Sequence, residues 1–270
     1  MAVLNALRKV PGALARNPIL VALLGFVGLL QAPQTLAQYL NSTVSIVISL
    51  IFTLVYLFGV PFFQGGMIGM ADEALRNRTR LGTFVQAGKE NYVSLLVAYL
   101  AMTGVVLVLM LVVFAAVFAG IFSIGTGSQN GLVVAVGVVL VVGLVYLVFA
   151  FFIQFYSHEI VLNDAGAVSG IKGSVGLVRR NLLSTTGYFL LTIAGSLAVV
   201  VAVVAAQFLL LPQSAPGTMP AQPPLTSALG QVVVSTVVTA VVGSLFAVYS
   251  VAFYEEIRDH RNSPEQATTL

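Results

Sequence analysis

Acid–base, metal and nucleophilic chemistry each need particular side chains at particular spacings, and this chain offers few of them. Its only imidazoles are His158 and His260, and it has no cysteine, so thiolate nucleophiles, cysteine-ligated metals and disulfides are excluded. His158-Glu159 begins like a zinc-hydrolase helix, but the position one helical turn on is Leu162, so the second ligand is missing. The run Gly166-x-x-x-Gly170-Ile171-Lys172-Gly173 is too short for a phosphate loop, and no Ser or Thr follows its lysine. A serine nucleophile needs a base beside it, whereas the two histidines fall at a predicted helix end and in the tail. Intramembrane aspartyl chemistry needs two buried carboxylates, and the long apolar runs contain none. The sequence therefore assigns no catalytic residue, no metal ligand and no cofactor.

The polarity inside the apolar runs is amide. Gln31, Gln34 and Gln38 recur at i, i+3 and i+7 with Thr35 beside them, and Gln207 and Gln231 fall at similar depth in later runs. Gln64 and Gln154 are candidates for a matching inner cluster. Such amides act as glue between helices at about 0.6 kcal/mol per contact, or snorkel to the interface. The functional alternative is an outward-facing polar vestibule for a neutral or zwitterionic solute. Ion-coupled carriers usually place ionisable groups within the membrane, and here only His158 comes near it.

The elements that must position these groups are read from charge. The chain is 59% hydrophobic and 8% charged, against roughly 25% charged in soluble domains. Its twelve Lys and Arg and nine Asp and Glu fall in four segments, Arg8–Arg16, Asp72–Glu90, His158–Arg180 and Glu255–Glu265. The uncharged stretches between predict six spanning helices at 18–40, 44–70, 92–122, 131–156, 187–211 and 228–254. Every charged segment then lies on one face, cytoplasmic by the positive-inside rule, with both termini inside and three neutral loops outside. The net charge of +3 reflects these flanking residues and does not imply nucleic acid. Tyr92, Tyr156, Tyr188 and Tyr254 fall at inner ends as interface anchors, with Tyr39 at an outer one. The third helix, at about 46 Å, exceeds a hydrocarbon core of about 30 Å and is expected to tilt, project or break near Thr103-Gly104. Pro33 and Pro61 are expected to kink their helices. An alternative reading makes residues 1–37 a cleavable signal peptide with Thr35 and Ala37 at −3 and −1, leaving five spans. The short turn at Asn41–Thr43 favours a retained hairpin instead.

A short segment precedes each outward-going helix: ALRKVPGALARNP (6–18), LGTFVQAGKENYV (81–93) and IKGSVGLVRRNLL (171–183). Each has apolar residues at helical spacing, a basic residue near its end, then Asn17, Asn91 or Asn181. The chain reads as one integral membrane domain, 1–270, with repeat units at 5–70, 81–156 and 171–254 and a polar tail at 255–270. The three asparagines suit helix caps, and Asn17-Pro18 places proline at the first helical position. A ring of amides at the inner mouth is the alternative for the trio. Val168, Ile171, Val175 and Val178 form a stripe suited to a helix in the headgroup layer. Arg16, Lys89, Lys172, Arg179 and Arg180 are the candidate contacts to anionic lipid.

The lead-ins ending in ARNP, KENY and VRRN, set among six spans, resemble the membrane domain associated with some glycerophosphoryl diester phosphodiesterases and related six-helix membrane proteins of archaea and bacteria. The resemblance covers most of the chain. It implies a helical bundle with amphipathic elbows and carries no catalytic residues, because the phosphodiesterase chemistry of such proteins lies in a separate soluble domain.

The expectation is an all-α polytopic membrane bundle in the plasma membrane, acting as a non-enzymatic scaffolding or accessory component. Its partners are the bilayer's anionic cytoplasmic headgroups and a membrane protein or second copy of the chain. A permease using the glutamine stripe is the second reading, and a lipid-acting intramembrane enzyme around His158, Glu159 and Asp164 the third.

Overall fold

The computed structural model describes residues 2–37, 42–125, 130–210 and 225–259, and its regular structure among these is helical throughout. The helices are α1 (Ala2–Arg16), α2 (Pro18–Leu30), α3 (Ala32–Ala37), α4 (Ser42–Arg76), α5 (Leu81–Glu90), α6 (Tyr92–Gly125), α7 (Asn130–Ile153), α8 (Tyr156–Leu162), α9 (Ala167–Arg180), α10 (Leu182–Leu210) and α11 (Leu225–Asp259). Six stretches are long and apolar enough to cross a membrane: Pro18–Ala37, Thr43–Arg76, Tyr92–Ser123, Asn130–Leu162, Leu182–Ala205 and Thr226–Arg258. Their outward faces carry side chains such as Phe114, Phe118, Val133, Leu140 and Phe208, all more than half exposed. Water would not tolerate apolar surface on this scale, whereas lipid matches it. Hydroxyls in the spans bond back to their own helix, as Thr53 does to the Ser49 carbonyl at 2.8 Å and Thr192 to that of Tyr188 at 2.9 Å. Gln38, Tyr39, Asn41, His260, Arg261 and most of the 212–227 loop lie outside the described residues.

Three helix features bear on the expected breaks and ends. α6 runs unbroken through Thr103-Gly104 for 34 residues, about 51 Å. A break there would strand backbone groups where lipid offers no partner, so the helix keeps its bonds and exceeds the hydrocarbon thickness instead. α4 passes helically through Pro61 and continues past the predicted end at residue 70 to Arg76. That last stretch holds Met70, Ala71 and Ala74 fully buried against protein. The first span breaks at Gln31, two residues before Pro33, where the Gln31 N–H bonds the Gly28 carbonyl at 3.2 Å. Proline at 33 removes an N–H and clashes with the preceding turn, so the helix restarts one residue earlier, at Ala32.

The chain forms two compact units, Met1–Asn91 with Asn181–Leu270, and Tyr92–Arg180. In the first, α11 is the central element and α2 is its principal neighbour. The two run antiparallel with glycine at the crossing. A Cβ on Gly28 would lie 2.8 Å from Thr236 Cα, and one on Gly25 would lie 3.4 Å from Ala240 Cβ. α1 lays Ala2, Ala6, Val10 and Ala13, one helical stripe, against this unit. Tyr188 of α10 stacks on Phe253 of α11 at 4.5 Å between ring centroids.

α4 and α5 interlock reciprocally. Phe84 of α5 lies against Gly66 of α4, and Phe62 of α4 lies against Gly88 of α5 with its carbonyl 2.9 Å from where a Cβ would stand. The two rings meet edge to face at 5.5 Å.

In the second unit, α6 and α7 form an antiparallel pair that packs closely at Gly120, where a Cβ would stand 2.7 Å from that of Ala135. Leu95 and Ala98 of α6 pack on Ile160 of α8, with Tyr156 and Ile171 around them. α9 follows the turn at Asp164, whose φ of 50° is a left-handed conformation that aspartate tolerates better than most residues.

Candidate functional site

In the first unit the N-terminal end of α2 and the C-terminal ends of α4 and α11 come together, and the unit's charge gathers there. Lys9 Nζ of α1 pairs with Glu256 Oε1 of α11 at 2.6 Å. Arg76 of α4 binds Asp72 at 2.7 Å within its own helix and Glu255 of α11 at 2.9 Å. Glu73 accepts hydrogen bonds from the hydroxyls of Thr79 at 2.8 Å and Thr83 at 2.5 Å, so it ties the end of α4 to the start of α5. Arg258 lies over the Tyr254 ring at 5.7 Å. These pairs are partly solvated, so each contributes at most about 1 kcal/mol, and they serve more to orient than to stabilise.

Asn17 holds this end together from the inside. It is 2% exposed. Its Nδ2 donates to the carbonyls of Ala13 at 2.9 Å and Asn77 at 3.1 Å, with a longer contact to that of Ala74 at 3.4 Å. Its Oδ1 accepts the Thr79 N–H at 2.8 Å. One amide thus joins the last turn of α1 to the turn that closes α4. Asn17 does occupy the N-cap position of α2, but it makes no side-chain cap bond there. Pro18, at the first helical position, removes one of the unpaired N–H groups of this helix end.

The acids of this end are engaged internally, while three of its cations are not. Arg8, Arg16 and Arg78 are exposed, and no carboxylate pairs with them among the described residues. Arg16 and Arg78 line a common cavity of about 510 Å³, together with Ala15, Asn17, Pro18, Ile19 and Thr79.

The second unit has a smaller polar centre. Ser174, fully buried on α9, donates to the Phe152 carbonyl at 2.8 Å and accepts the Phe155 N–H at 3.1 Å. It therefore bridges α9 to the break between α7 and α8. Glu159 accepts from Asn163 at 2.8 Å. His158 is buried with its ring 5.7 Å from that of Phe155, whereas Asp164 is exposed. Among the described residues, no group of three His, Cys, Asp or Glu is placed to hold a metal.

The family model described as Domain of unknown function (DUF7847) matches residues 1–257. The chain belongs to the DUF7847 family. No curated protein and no solved structure matches it. The DUF7847 match spans both units, and the six apolar stretches fall within it except for Arg258, the last residue of the sixth.

The other sequence-derived positions of this DUF7847 chain are dispersed. Gln31 and Gln34 are half-buried at the break between α2 and α3, Gln231 is exposed on α11, and Gln207 lies on α10. Gln31, Gln34 and Gln231 do not line the polar cavity. Nor do they line the two apolar cavities, one of about 580 Å³ between α6 and α7 and one of about 220 Å³ at α1, α10 and α11. Gln154 bonds the carbonyl of Phe151 at 2.9 Å, and Gln64 is half-buried on α4.

Asn91 stands at the C-terminal end of α5, where its amide donates to the Ala87 carbonyl at 3.1 Å. Asn181 joins α9 to α10, and its carbonyl accepts the Thr185 N–H at 2.9 Å. Lys89, Arg179 and Arg180 are exposed at their helix ends, and Lys172 is exposed within α9. On α9 the buried face is Gly170, Ser174, Leu177 and Val178, while Val168 is exposed, so the protein-facing stripe is rotated from the valine stripe of the sequence. Sequence reasoning missed Ser174, Arg78 and the aromatic interlock. The interlock had a signal: Phe62-x-x-x-Gly66 and Phe84-x-x-x-Gly88 are the same motif on adjacent helices.

Proposed function

We propose that this DUF7847 chain is a non-enzymatic accessory or scaffolding protein of the plasma membrane, acting through helix contacts and anionic headgroups. In this reading both termini and every charged segment are cytoplasmic, and α1, α5 and α9 are amphipathic elbows in the headgroup layer. The observation that carries it is the asymmetry of the charged end: Asp72, Glu73, Glu255 and Glu256 are engaged within the protein, while among the described residues no carboxylate pairs with Arg8, Arg16 or Arg78. Cations freed from internal pairing at the edge of the apolar spans suit an anionic lipid surface, at about 1 kcal/mol each. The likeness of the lead-ins to the phosphodiesterase-associated membrane domain supports an accessory role beside a lipid-metabolising partner.

The chain lacks cysteine, so single-cysteine labelling tests the orientation directly. On intact cells a membrane-impermeant maleimide should modify Ser128→Cys and Ser214→Cys and spare Asn5→Cys; the reverse pattern would overturn the topology. In-membrane cross-linking followed by mild solubilisation should retain a stable protein partner or a second copy. Recovery of a partner-free monomer whose stability ignores lipid charge would remove the scaffold reading.

A further inference from the structure

We propose that the cavity at the α1–α2 junction binds a phosphate group carried by an anionic phospholipid, with Arg16 and Arg78 as its two ligating guanidiniums. The assignment rests on the function proposed above and adds to it a site and a ligand chemistry. The cavity, about 510 Å³, is formed by residues 15–19 on one side and by Arg78 and Thr79 on the other. Two arginines far apart in sequence therefore share one space, and neither has an internal carboxylate among the described residues. Glu73, the acid closest in the hydrogen-bond network, is occupied by Thr79 and Thr83.

Their backbones are held in register by a single buried side chain. Asn17 follows Arg16 directly, and it bonds Asn77 and Thr79, the residues on either side of Arg78. The positions of the two arginines are therefore set before any ligand arrives, which lowers the ordering cost of binding. Guanidinium forks match phosphate oxygens bidentately, and a phosphate has enough oxygens to serve two forks where a carboxylate serves one well. The N-terminal end of α2, a 13-residue helix, adds partial positive charge beside them.

Depth favours a lipid as the phosphate's carrier. The cavity lies at Pro18, where one apolar stretch begins, and beside Arg76, where another ends. That is the level at which apolar chain gives way to charge, as it does in a phospholipid at its phosphate. Pro18 and Ile19 supply an apolar lip next to the cations.

The test uses the full-length chain in nanodiscs containing phosphatidylcholine with or without phosphatidylglycerol, read by native mass spectrometry after release. Wild type should retain phosphatidylglycerol in preference to phosphatidylcholine. Arg16→Gln/Arg78→Gln should weaken that retention by at least about 10-fold for each guanidinium removed. Arg16→Lys/Arg78→Lys, which keeps the charge without the fork, should fall in between. Arg80→Gln, which removes an exposed charge of the same unit outside the cavity, should retain the lipid like wild type, and thermal unfolding checks that all variants fold.

Equal retention by wild type and Arg16→Gln/Arg78→Gln would overturn the site while leaving the lipid-contact function standing. No preference for phosphatidylglycerol in wild type would overturn both. A parallel titration with inorganic phosphate distinguishes the carrier. Arginine-dependent binding of free phosphate without lipid retention would overturn the lipid assignment and give the site to a soluble phosphate.

Discussion

Replacing Asn17 with alanine tests whether one amide organises the charged end. Asn17 is nearly inaccessible and Thr79 is buried, so water replaces little of what is lost between them. The change strands the Thr79 N–H and leaves the Asn77 carbonyl without its 3.1 Å donor. The Ala13 carbonyl also loses its 2.9 Å donor, in the last turn of α1. A buried group left unmet costs about 1–3 kcal/mol, and two such groups with partial relaxation give roughly 3 kcal/mol. At about 2–4 °C per kcal/mol for a chain of this order, the unfolding midpoint should fall by roughly 6–12 °C. Thermal unfolding in nanodiscs of constant lipid composition reads this. Asn17→Asp sharpens the test. It can still accept the Thr79 N–H, but it turns a carboxylate toward three carbonyls, so it should destabilise at least as much as Asn17→Ala. Asn91→Ala is the internal comparison: that amide makes a single bond within its own helix end, and its loss should cost about 1 kcal/mol or less. A midpoint shift under about 1 °C for Asn17→Ala, or a milder effect for Asn17→Asp than for Asn17→Ala, would refute the clasp.

Gly28→Ala should destabilise by about 1–3 kcal/mol, because its Cβ would meet the Thr236 backbone at 2.8 Å. Gly25→Ala, at 3.4 Å from the Ala240 methyl, should be nearly neutral in the same unfolding assay. Ser174→Ala should cost about 2 kcal/mol by stranding the Phe155 N–H, whereas Ser169→Ala, on an exposed residue bonded only to the Gly166 carbonyl, should stay within about 0.5 kcal/mol. Protection of the Phe155 amide in hydrogen exchange should fall in Ser174→Ala alone. A Lys9→Gln/Glu256→Gln double-mutant cycle should return a coupling below about 1 kcal/mol that shrinks further in high salt, since the lysine is half exposed.

Apolar run length made the helices legible in the sequence, because in lipid the backbone has no alternative to satisfying itself. The same rule explains why, of the three outcomes open to this long helix, a break at Thr103-Gly104 is not the one taken: a glycine that weakens a helix in water has no competing hydrogen-bond partner in hydrocarbon. Helix ends were less legible. The end of α4 moved from residue 70 to Arg76 because Met70, Ala71 and Ala74 bury against protein, a tertiary effect that no local pattern carries. The asparagines were found as a trio by position, yet their roles diverge. Asn17 spans to residues some sixty positions away, and sequence spacing says nothing about which turn will lie opposite. Arg78 had the same obscurity, being one of several basic residues in a charged segment until the fold set it beside Arg16.

The antiparallel seating of α2 on α11 has a consequence for how the protein is made. α2 leaves the ribosome well before α11, with α3 to α10 made in between. Throughout synthesis, the glycine face of α2 must therefore wait in the bilayer without the helix it was shaped to receive. A nascent chain in that state presents an open small-residue groove to whatever membrane helix diffuses past, and the groove closes only when α11 inserts. Truncation just before α11 would leave an intermediate that spans the membrane and is permanently ready to pair.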